Sequence, residues 1–192
     1  IYLAEYAKNG NKLVGIIRVT AETLSGIPSI IYGLFGMLFF VTALKWGYSM
    51  MAGAATLAIM VLPVIMRTTE EALLCVPDSF REGSFGLGAG KLRTIFKIVL
   101  PSAIPGILSG IILAIGRIVG ETAALIYTSG TVVNLAGFFD SGRTLAIHMY
   151  SLSREGMHTN EAYATAVVLL IVVLIINGVS SLIAKKFEAP KQ

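Results

Sequence analysis

The chain has 192 residues, of which 55% are hydrophobic and 14% are charged, whereas soluble domains average about 45–50% and 25%. The apolar residues form long blocks rather than an amphipathic pattern, which is typical of membrane proteins and makes a water-soluble fold the poorer interpretation. Cys75 is the single cysteine, so an intrachain disulfide and a thiol-based zinc site are excluded. The net charge of +4 could suit a nucleic-acid partner, unless the positions of the basic residues explain it.

The first residues, Ile1 to Leu3, resemble the end of an apolar segment and lack the pattern of a signal peptide, so we expect further sequence upstream. After them, Leu13, Ile16, Ile17 and Leu24 recur near helical spacing. This stretch is either a helix lying along the membrane interface or a simple elbow leading into the membrane. We favour the elbow.

Four apolar runs approach the roughly 20 residues with which a helix crosses the hydrocarbon core. Helices are expected because an isolated strand cannot pair its backbone groups in lipid. We predict an all-α integral membrane protein, a polytopic helical bundle forming one domain over residues 1–192. The predicted spans run from about Ile27 to Leu44, Met50 to Met66, Ile104 to Ile126, and Ala162 to Ala184.

The basic residues indicate how these spans are oriented. If the chain starts on the cytoplasmic side, only Lys45, Arg143 and Arg154 lie outside, as the positive-inside rule requires. This orientation places loop 68–102 and the C-terminus in the cytoplasm and loop 128–161 outside, and it explains the charge without nucleic acid. The predicted cytoplasmic basic residues are Lys8, Lys12, Arg18, Arg67, Arg81, Lys91, Arg93, Lys97, Lys185, Lys186 and Lys191.

The cytoplasmic loop contains helix start and stop signals. Ser79 and Glu82 have the spacing of a capping box, which predicts that a helix starts there. Three glycines then allow the chain to end that helix and reverse. The glycines are Gly86, Gly88 and Gly90.

A second helical pattern covers Lys91 to Val99, until Pro101 and Pro105 mark the start of the third span. The loop is therefore predicted to be a short helix-turn-helix. Such units also read DNA, but two flanking spans leave no tether long enough for that role. The glycines do not match the Gly-x-x-x-x-Gly-Lys-Ser/Thr pattern, so we expect no ATP-binding phosphate loop in this chain.

The run Glu82-Gly83-Ser84, then Gly88, then Ile98-Val99-Leu100-Pro101 resembles the EAA loop of ABC importer permeases. The family pattern has alanines where Gly83 and Ser84 stand, and glycine weakens a helix by up to about 1 kcal/mol. The resemblance implies that residues from about Ser79 to Phe96 form coupling helices that dock into an ATPase subunit. The implied coupling residues are Ser79, Arg81, Glu82, Gly83, Ser84, Gly88, Ile98, Leu100 and Pro101.

The third predicted span contains charged residues. Arg117 and Glu121 are four residues apart, which predicts that they share a helical face. Charges inside a membrane cost at least about 2.5–3.5 kcal/mol each and usually mark a transport path. Arginine can donate two parallel hydrogen bonds to an oxyanion, and we expect Glu121 to pair with Arg117 or a partner helix at rest. The alternative is a purely structural buried pair.

Ser25 to Gly36 and Gly116 to Thr122 also resemble the phosphate importer permeases, more closely the PstA type than the PstC type. The resemblance implies a MetI-like permease core in the bacterial plasma (inner) membrane, lacking the N-terminal helices of family members. Thr122 belongs to this run and to the implied substrate path. The implied partners are a PstC-like second permease, PstB-like ATPase subunits that use ATP and Mg, and an external phosphate-binding protein; the chain itself would be no enzyme and bind no cofactor.

Gly116 and Gly120, with Ala124, form a small-residue stripe that predicts close approach of another helix. Loop 128–161 would face the binding protein, and its acidic and histidine residues are better explained by a solvated loop than by a metal site. The metal alternative would use His148, His158, Asp140 and Glu155.

Three other functions stay open at this point. An EAA-loop importer could carry molybdate, sulfate or an organic solute instead of phosphate. An ion-coupled carrier could use the intramembrane carboxylate as a proton relay and would need no ATPase. A membrane scaffold without transport would have no use for a charged pair within a span.

Overall fold

A computed structural model describes residues 1–7, 11–156 and 158–187, which are mostly helical and contain no β-strand. The predicted all-helical fold is confirmed. Lys8 and Lys191, and the side chains of Lys185 and Lys186, lie outside the described part. The helices are α1 (Lys12–Ser25), α2 (Ser29–Gly36), α3 (Met50–Leu74), α4 (Asp78–Gly86), α5 (Lys91–Thr94), α6 (Leu100–Val119), α7 (Ala123–Ile126), α8 (Leu145–Glu155) and α9 (Thr159–Phe187), with π-helical turns at Tyr2–Tyr6, Met37–Ala43 and Ile95–Val99.

Within the described ranges, three helices are long and apolar enough to cross a membrane: Met50–Leu74, Lys91–Val119 and Thr159–Ala184. The predicted first span corresponds to Ser29–Ala43, which is long enough only if the broken pair that it forms with α1 counts as one span. The third span, predicted to reach Ile126, ends at Val119 instead.

The stretch before the first predicted span is a helix, and a sharply bent break separates it from Ser29–Ala43. This arrangement fits both an interfacial helix and an elbow, so both stay predictions. Helix α1 has 14 residues and ends before Gly26–Pro28. Leu13 and Ile16 on this helix are 68% and 60% exposed.

The chain divides into two compact units. The first contains Ile1–Thr23, Pro63–Ala114 and the stretch from Gly178, and the second contains Leu24–Leu62 and Ile115–Asn177. The core of the first unit is formed by apolar side chains from the end of α3 and the region where α6 begins. These buried residues are Leu73, Val76, Val99 and Ala103.

In the first unit, α6 approaches α3 closely because small residues face each other. A Cβ placed at Gly106 would lie 2.7 Å from the Cβ of Ala72, and one at Gly110 would overlap Thr68. Glycines four residues apart allow such close helix contacts. The four-residue spacing of Gly106 and Gly110 is the sequence signal for this close contact between α6 and α3.

The long helix Lys91–Val119 continues through both prolines, so the prediction that Pro101 and Pro105 mark the start of the third span is wrong. A proline removes one backbone donor and crowds the preceding turn. The π-helical turn Ile95–Val99 lies just before Pro101. Local changes of this kind allow a membrane helix to accommodate a proline. The hydroxyl of Ser109 donates to the carbonyl of Pro105 at 3.0 Å.

In the second unit, α2 packs against α7. A Cβ at Gly33 would lie 2.8 Å from the Cα of Ala124, so the two backbones touch. Ala124 is therefore a packing residue, as predicted. Along the rest of the predicted stripe, a Cβ at Gly116 would lie 3.7 Å from Oδ1 of Asn177 in α9, and among the described residues nothing lies within 4 Å of one at Gly120. Close approach of another helix at these two glycines stays a prediction.

We expect Gly33→Ala to lower the free energy of unfolding by about 1–3 kcal/mol, because the added methyl group must displace backbone of α7. The matched control is Gly178→Ala in α9, where nothing described lies within 4 Å of the new Cβ. That variant should be neutral or stabilising by up to about 1 kcal/mol. Thermal unfolding in detergent measures both variants, and equal midpoints would contradict the close contact.

Candidate functional site

A groove of about 730 Å³ lies between α4 and the first part of the helix Lys91–Val119. Six of the nine predicted coupling residues line it: Ser79, Gly83, Ser84, Gly88, Ile98 and Pro101. The EAA-like run is discontinuous in sequence, and folding brings its two ends together on one surface. The remaining lining residues are Phe80, Leu87, Ala89, Arg93, Lys97 and Ser102.

The groove has an exposed apolar wall and basic residues. Leu87 is 90% exposed and Phe80 is 49% exposed, and Arg93 and Lys97 add two positive charges. Exposed apolar residues with charged neighbours are typical of protein interaction sites. These four side chains were not singled out from the sequence, although they lie in or just beyond the interval expected to dock.

The turn after α4 is a Schellman motif centred on glycine. Gly88 has a positive φ of 78°, and its N–H donates to the carbonyl of Phe85 at 2.9 Å. The N–H of Ala89 donates to the carbonyl of Ser84 at 3.1 Å. This pattern satisfies carbonyls at the helix end and requires a residue that tolerates the left-handed conformation.

The start of α4 differs from the prediction. The helix begins at Asp78, directly after Pro77, and no side chain caps it. The predicted capping box of Ser79 and Glu82 is therefore wrong. Proline stands just before the first helical residue with its φ fixed near −57°, and Asp78 in the first turn complements the helix dipole.

Ser84 links α4 to α5 through a hydrogen bond. Its hydroxyl and that of Thr94 are 2.8 Å apart and form a buried hydrogen bond, and the two residues are 4% and 1% exposed. An alanine at this position, as in the family pattern, could not make this bond. The departure at Ser84 therefore adds a polar link between α4 and α5.

We expect Gly83→Ala to stabilise the chain by about 1 kcal/mol, because Gly83 lies inside α4 and nothing described is within 4 Å of an added Cβ. Gly88→Ala should destabilise it by about 1–2 kcal/mol, since alanine is strained at positive φ. Opposite shifts of the thermal unfolding midpoint would support both statements. A decrease for Gly83→Ala would contradict the first.

The other three predicted coupling residues lie outside the groove lining. Glu82 is exposed on α4. Leu100 packs against the apolar core of the first unit. Arg81 is turned towards Glu5 and the end of α3, where its Nη2 donates to Glu5 Oε1 at 2.7 Å.

The predicted substrate residues lie in the second unit, where α6 ends. Arg117 is in the last turn of α6, whereas Glu121 and Thr122 lie in the break before α7. The prediction that Arg117 and Glu121 share a helical face is therefore wrong. Gly120 and Thr122, both poor helix formers, allow the chain to leave the helix here.

Glu121 and Arg117 have different surroundings. Glu121 is 9% exposed, and its Oε1 accepts a hydrogen bond from the N–H of Ala124 at 3.1 Å. Arg117 is half-buried, and among the ion pairs of the described residues none includes it or Glu121. The expected resting pair between Glu121 and Arg117 is thus absent from the described ion pairs, whereas a pair of Glu121 with a partner helix stays a prediction.

Two polar side chains in this region were missed in the sequence, one near Arg117 and one near Gly116. Tyr32 lies within electrostatic range of Arg117, and its hydroxyl donates to the carbonyl of Leu24 at 2.7 Å. The amide oxygen of Asn177 lies 3.7 Å from a Cβ placed at Gly116. Asn177 could have been noticed in the sequence, because its amide is a polar group inside the last apolar run.

Loop 128–161 is attached to the start of α3. The N–H groups of Met50 and Met51 donate to the carbonyls of Asp140 and Phe138 at 3.0 and 2.8 Å. These bonds satisfy backbone donors that have no partner within a helix. Leu135 in the same loop is 100% exposed.

The residues of the alternative metal site are held by other partners. His148 Nδ1 lies 3.0 Å from Arg143, His158 lies 2.7 Å from Glu161, and Asp140 accepts the N–H of Gly137. The side chain of Glu155 is outside the described part. Over the described ranges, no three His, Cys, Asp or Glu side chains are grouped as a metal would need.

The chain is similar to curated bacterial permeases over nearly its whole length. It is 39% identical to "Probable ABC transporter permease protein YqgI" of Bacillus subtilis, covering 98% of this chain and 71% of that protein. It is 36% identical to "Phosphate transport system permease protein PstA 1" of Mycobacterium tuberculosis, covering 95% and 61%. The PstA of Yersinia pestis is 37% identical, with 97% and 63% covered. The chain thus spans about three fifths of the length of these PstA relatives.

A solved structure titled "Inward facing conformations of the MetNI methionine ABC transporter" has a TM-score of 0.78 at 21% identity, covering 97% of this chain and 83% of that one. At this identity the likeness shows the MetI-like fold alone. The family model described as "Binding-protein-dependent transport system inner membrane component" matches residues 1–189. The chain belongs to this family of membrane permease subunits, whose ATP hydrolysis takes place on a separate subunit.

Proposed function

We propose that this chain is the transmembrane permease subunit of an ATP-driven phosphate importer. The groove between α4 and the helix from Lys91 is the observation that carries the proposal, because it gathers the EAA-like residues on one exposed surface. An apolar wall with basic residues fits a protein partner that presents apolar and acidic side chains. The ATPase subunit is that partner.

Phosphate as the substrate is supported by the relatives named PstA and by the chemistry of Arg117. A guanidinium stays charged at physiological pH and donates in a fork that matches phosphate oxygens. Arg117 has no carboxylate partner among the described ion pairs. It can therefore contact an oxyanion that passes along the second unit, whereas Glu121 is held by the backbone of Ala124.

The proposed complex contains a second, PstC-like permease, PstB-like ATPase subunits that use ATP and Mg, and an external phosphate-binding protein. It lies in the bacterial plasma (inner) membrane, with lipid around the apolar helices. The positive-inside pattern supports a cytoplasmic position for the groove. Loop 128–161 then faces the outside, where the binding protein delivers phosphate.

Reconstitution tests this function. The intact protein that carries this chain is co-produced with candidate ATPase, second-permease and binding-protein subunits and placed in vesicles. We expect ATP-dependent phosphate uptake that sulfate and molybdate compete with only weakly. Uptake that is absent, or equally fast without ATP, would refute the proposal.

The main alternative is an importer with the same ATPase coupling and another cargo. Similar folds occur in structures titled as a methionine transporter and as an importer of the polysaccharide alginate, so the fold does not select the cargo. The competition assay separates these cases, since a molybdate or sulfate importer would prefer that anion. An ion-coupled carrier would transport without ATP.

A further inference from the structure

The side chain of Arg81 fastens the docking helix α4 to the end of α3. Its Nη1 donates to the carbonyl of Val76 at 2.6 Å and its Nη2 to the carbonyl of Leu73 at 2.9 Å. Carbonyls at a helix end have no partner within the helix, and a cation there also complements the helix dipole. Arg81 therefore stabilises the connection between α3 and α4.

The same guanidinium binds Glu5 in the N-terminal segment Ile1–Ala7. Nη2 lies 2.7 Å from Oε1 of Glu5, and Nε lies 3.3 and 3.4 Å from its two oxygens. The side chains of Arg81 and Glu5 are only 15% and 6% exposed. The hydrogen bond that Arg81 donates to the Glu5 carboxylate raises the pKa of the guanidinium above its ordinary value.

Burial distinguishes this pair from the other ion pairs of the first unit. Arg67 and Glu71, for example, are 57% and 58% exposed and lie on one helix, where solvent screens the pair and it contributes little. Removing one partner of a buried pair is strongly destabilising, because the other charge stays buried without compensation. The pair of Arg81 and Glu5 also joins segments that are 76 residues apart in the sequence.

Arg81 is next to the groove without lining it. The groove is formed by the other side of α4, at Ser79, Phe80 and Gly83. A second cavity contains Arg81, Glu5 and Asp78. A change at Arg81 therefore leaves the docking surface itself in place.

We propose that Arg81 and Glu5 form a joint that transmits movement of α4 to α3 and to the segment Ile1–Ala7 at the same time. The proposal rests on the proposed coupling function of the groove. Arg81 is a positioning residue: it touches no substrate and acts through the segments that it connects. Without the joint, the ATPase still docks and hydrolyses ATP, but less of its movement reaches the membrane helices.

The test compares Arg81→Gln and Glu5→Gln with the matched control Arg67→Gln in the reconstituted complex. The measured quantity is the amount of phosphate imported per ATP hydrolysed. We expect this ratio to fall at least about fivefold, the lower end of typical coupling effects, while co-purification of the ATPase is unchanged. Arg81→Lys keeps the charge and should recover part of the ratio, and the control should retain the full ratio.

A second measurement does not depend on the cargo. Adding a non-hydrolysable ATP analogue to the complex should change amide hydrogen exchange at Ile1–Ala7 in the unmodified protein and leave it unchanged in Arg81→Gln. The proposal would be overturned by an unchanged ratio of phosphate imported to ATP hydrolysed. An equal change of hydrogen exchange at Ile1–Ala7 in both proteins would also overturn it. So would a parallel loss of assembly, hydrolysis and uptake, which indicates a purely structural role. Absence of phosphate uptake in the unmodified complex would instead refute the proposed function.

Discussion

Leu87→Asp is expected to reduce co-purification of the ATPase subunit by at least about tenfold, which corresponds to about 1.4 kcal/mol of binding free energy. The substitution removes the most exposed apolar side chain of the groove and places a carboxylate beside Arg93 and Lys97. The new carboxylate offsets the positive charge that attracts an acidic partner, and the lost apolar contact adds to the cost. Pull-down of the complex from detergent measures the effect.

The matched control is Leu135→Asp. Leu135 is 100% exposed, as Leu87 is 90% exposed, but it belongs to loop 128–161 on the side of the chain that we assign to the outside. Both substitutions should change the free energy of unfolding by about 0.5 kcal/mol or less, because neither side chain is packed. Equal loss of the ATPase in both variants, or retention in both, would contradict docking at the groove.

Arg117→Gln is expected to reduce phosphate uptake by about 10- to 100-fold. Loss of a hydrogen bond to a charged group costs about 1.5–3 kcal/mol, and each 1.4 kcal/mol corresponds to a factor of ten. Arg117→Lys keeps the charge without the planar fork, so its effect should be smaller and anion selectivity should weaken. Initial uptake rates for phosphate, sulfate and molybdate measure both properties.

Glu121→Gln is the comparison variant for Arg117. The amide oxygen of glutamine can still accept the hydrogen bond from Ala124, so the break between α6 and α7 should be preserved. The substitution removes a negative charge that would repel an anion, and uptake should be equal or faster. Unchanged uptake and selectivity in both Arg117 variants would exclude Arg117 from the substrate path.

Much of the groove between α4 and the helix from Lys91 could be predicted from the sequence, because its residues lie within one short loop with a recognisable spacing. The groove lining includes residues from both ends of that spacing, Gly83, Ser84 and Gly88 from the first and Ile98 and Pro101 from the second. The ion pair of Arg81 with Glu5 could not be predicted, since the two residues are distant in the sequence and only folding brings them together. Local spacing also gave no indication that Leu100 belongs to the core.

The predicted pair of Arg117 and Glu121 failed for a different reason. A spacing of four residues places two side chains on one face only while the helix continues, and α6 ends at Val119. Close packing of α2 against α7 accompanies that break, at Gly33 and Ala124. Such a contact between separate segments leaves no periodic signal in the sequence.

The sequence by itself determined that the chain is a helical membrane protein and indicated which loop carries the coupling motif. Both conclusions depend on local properties, the length of apolar runs and the spacing of residues within one loop. Only the tertiary structure decided where the helices end, which glycines allow close contact and which charged residues pair. These features depend on contacts between segments far apart in the chain, and local propensity does not determine such contacts.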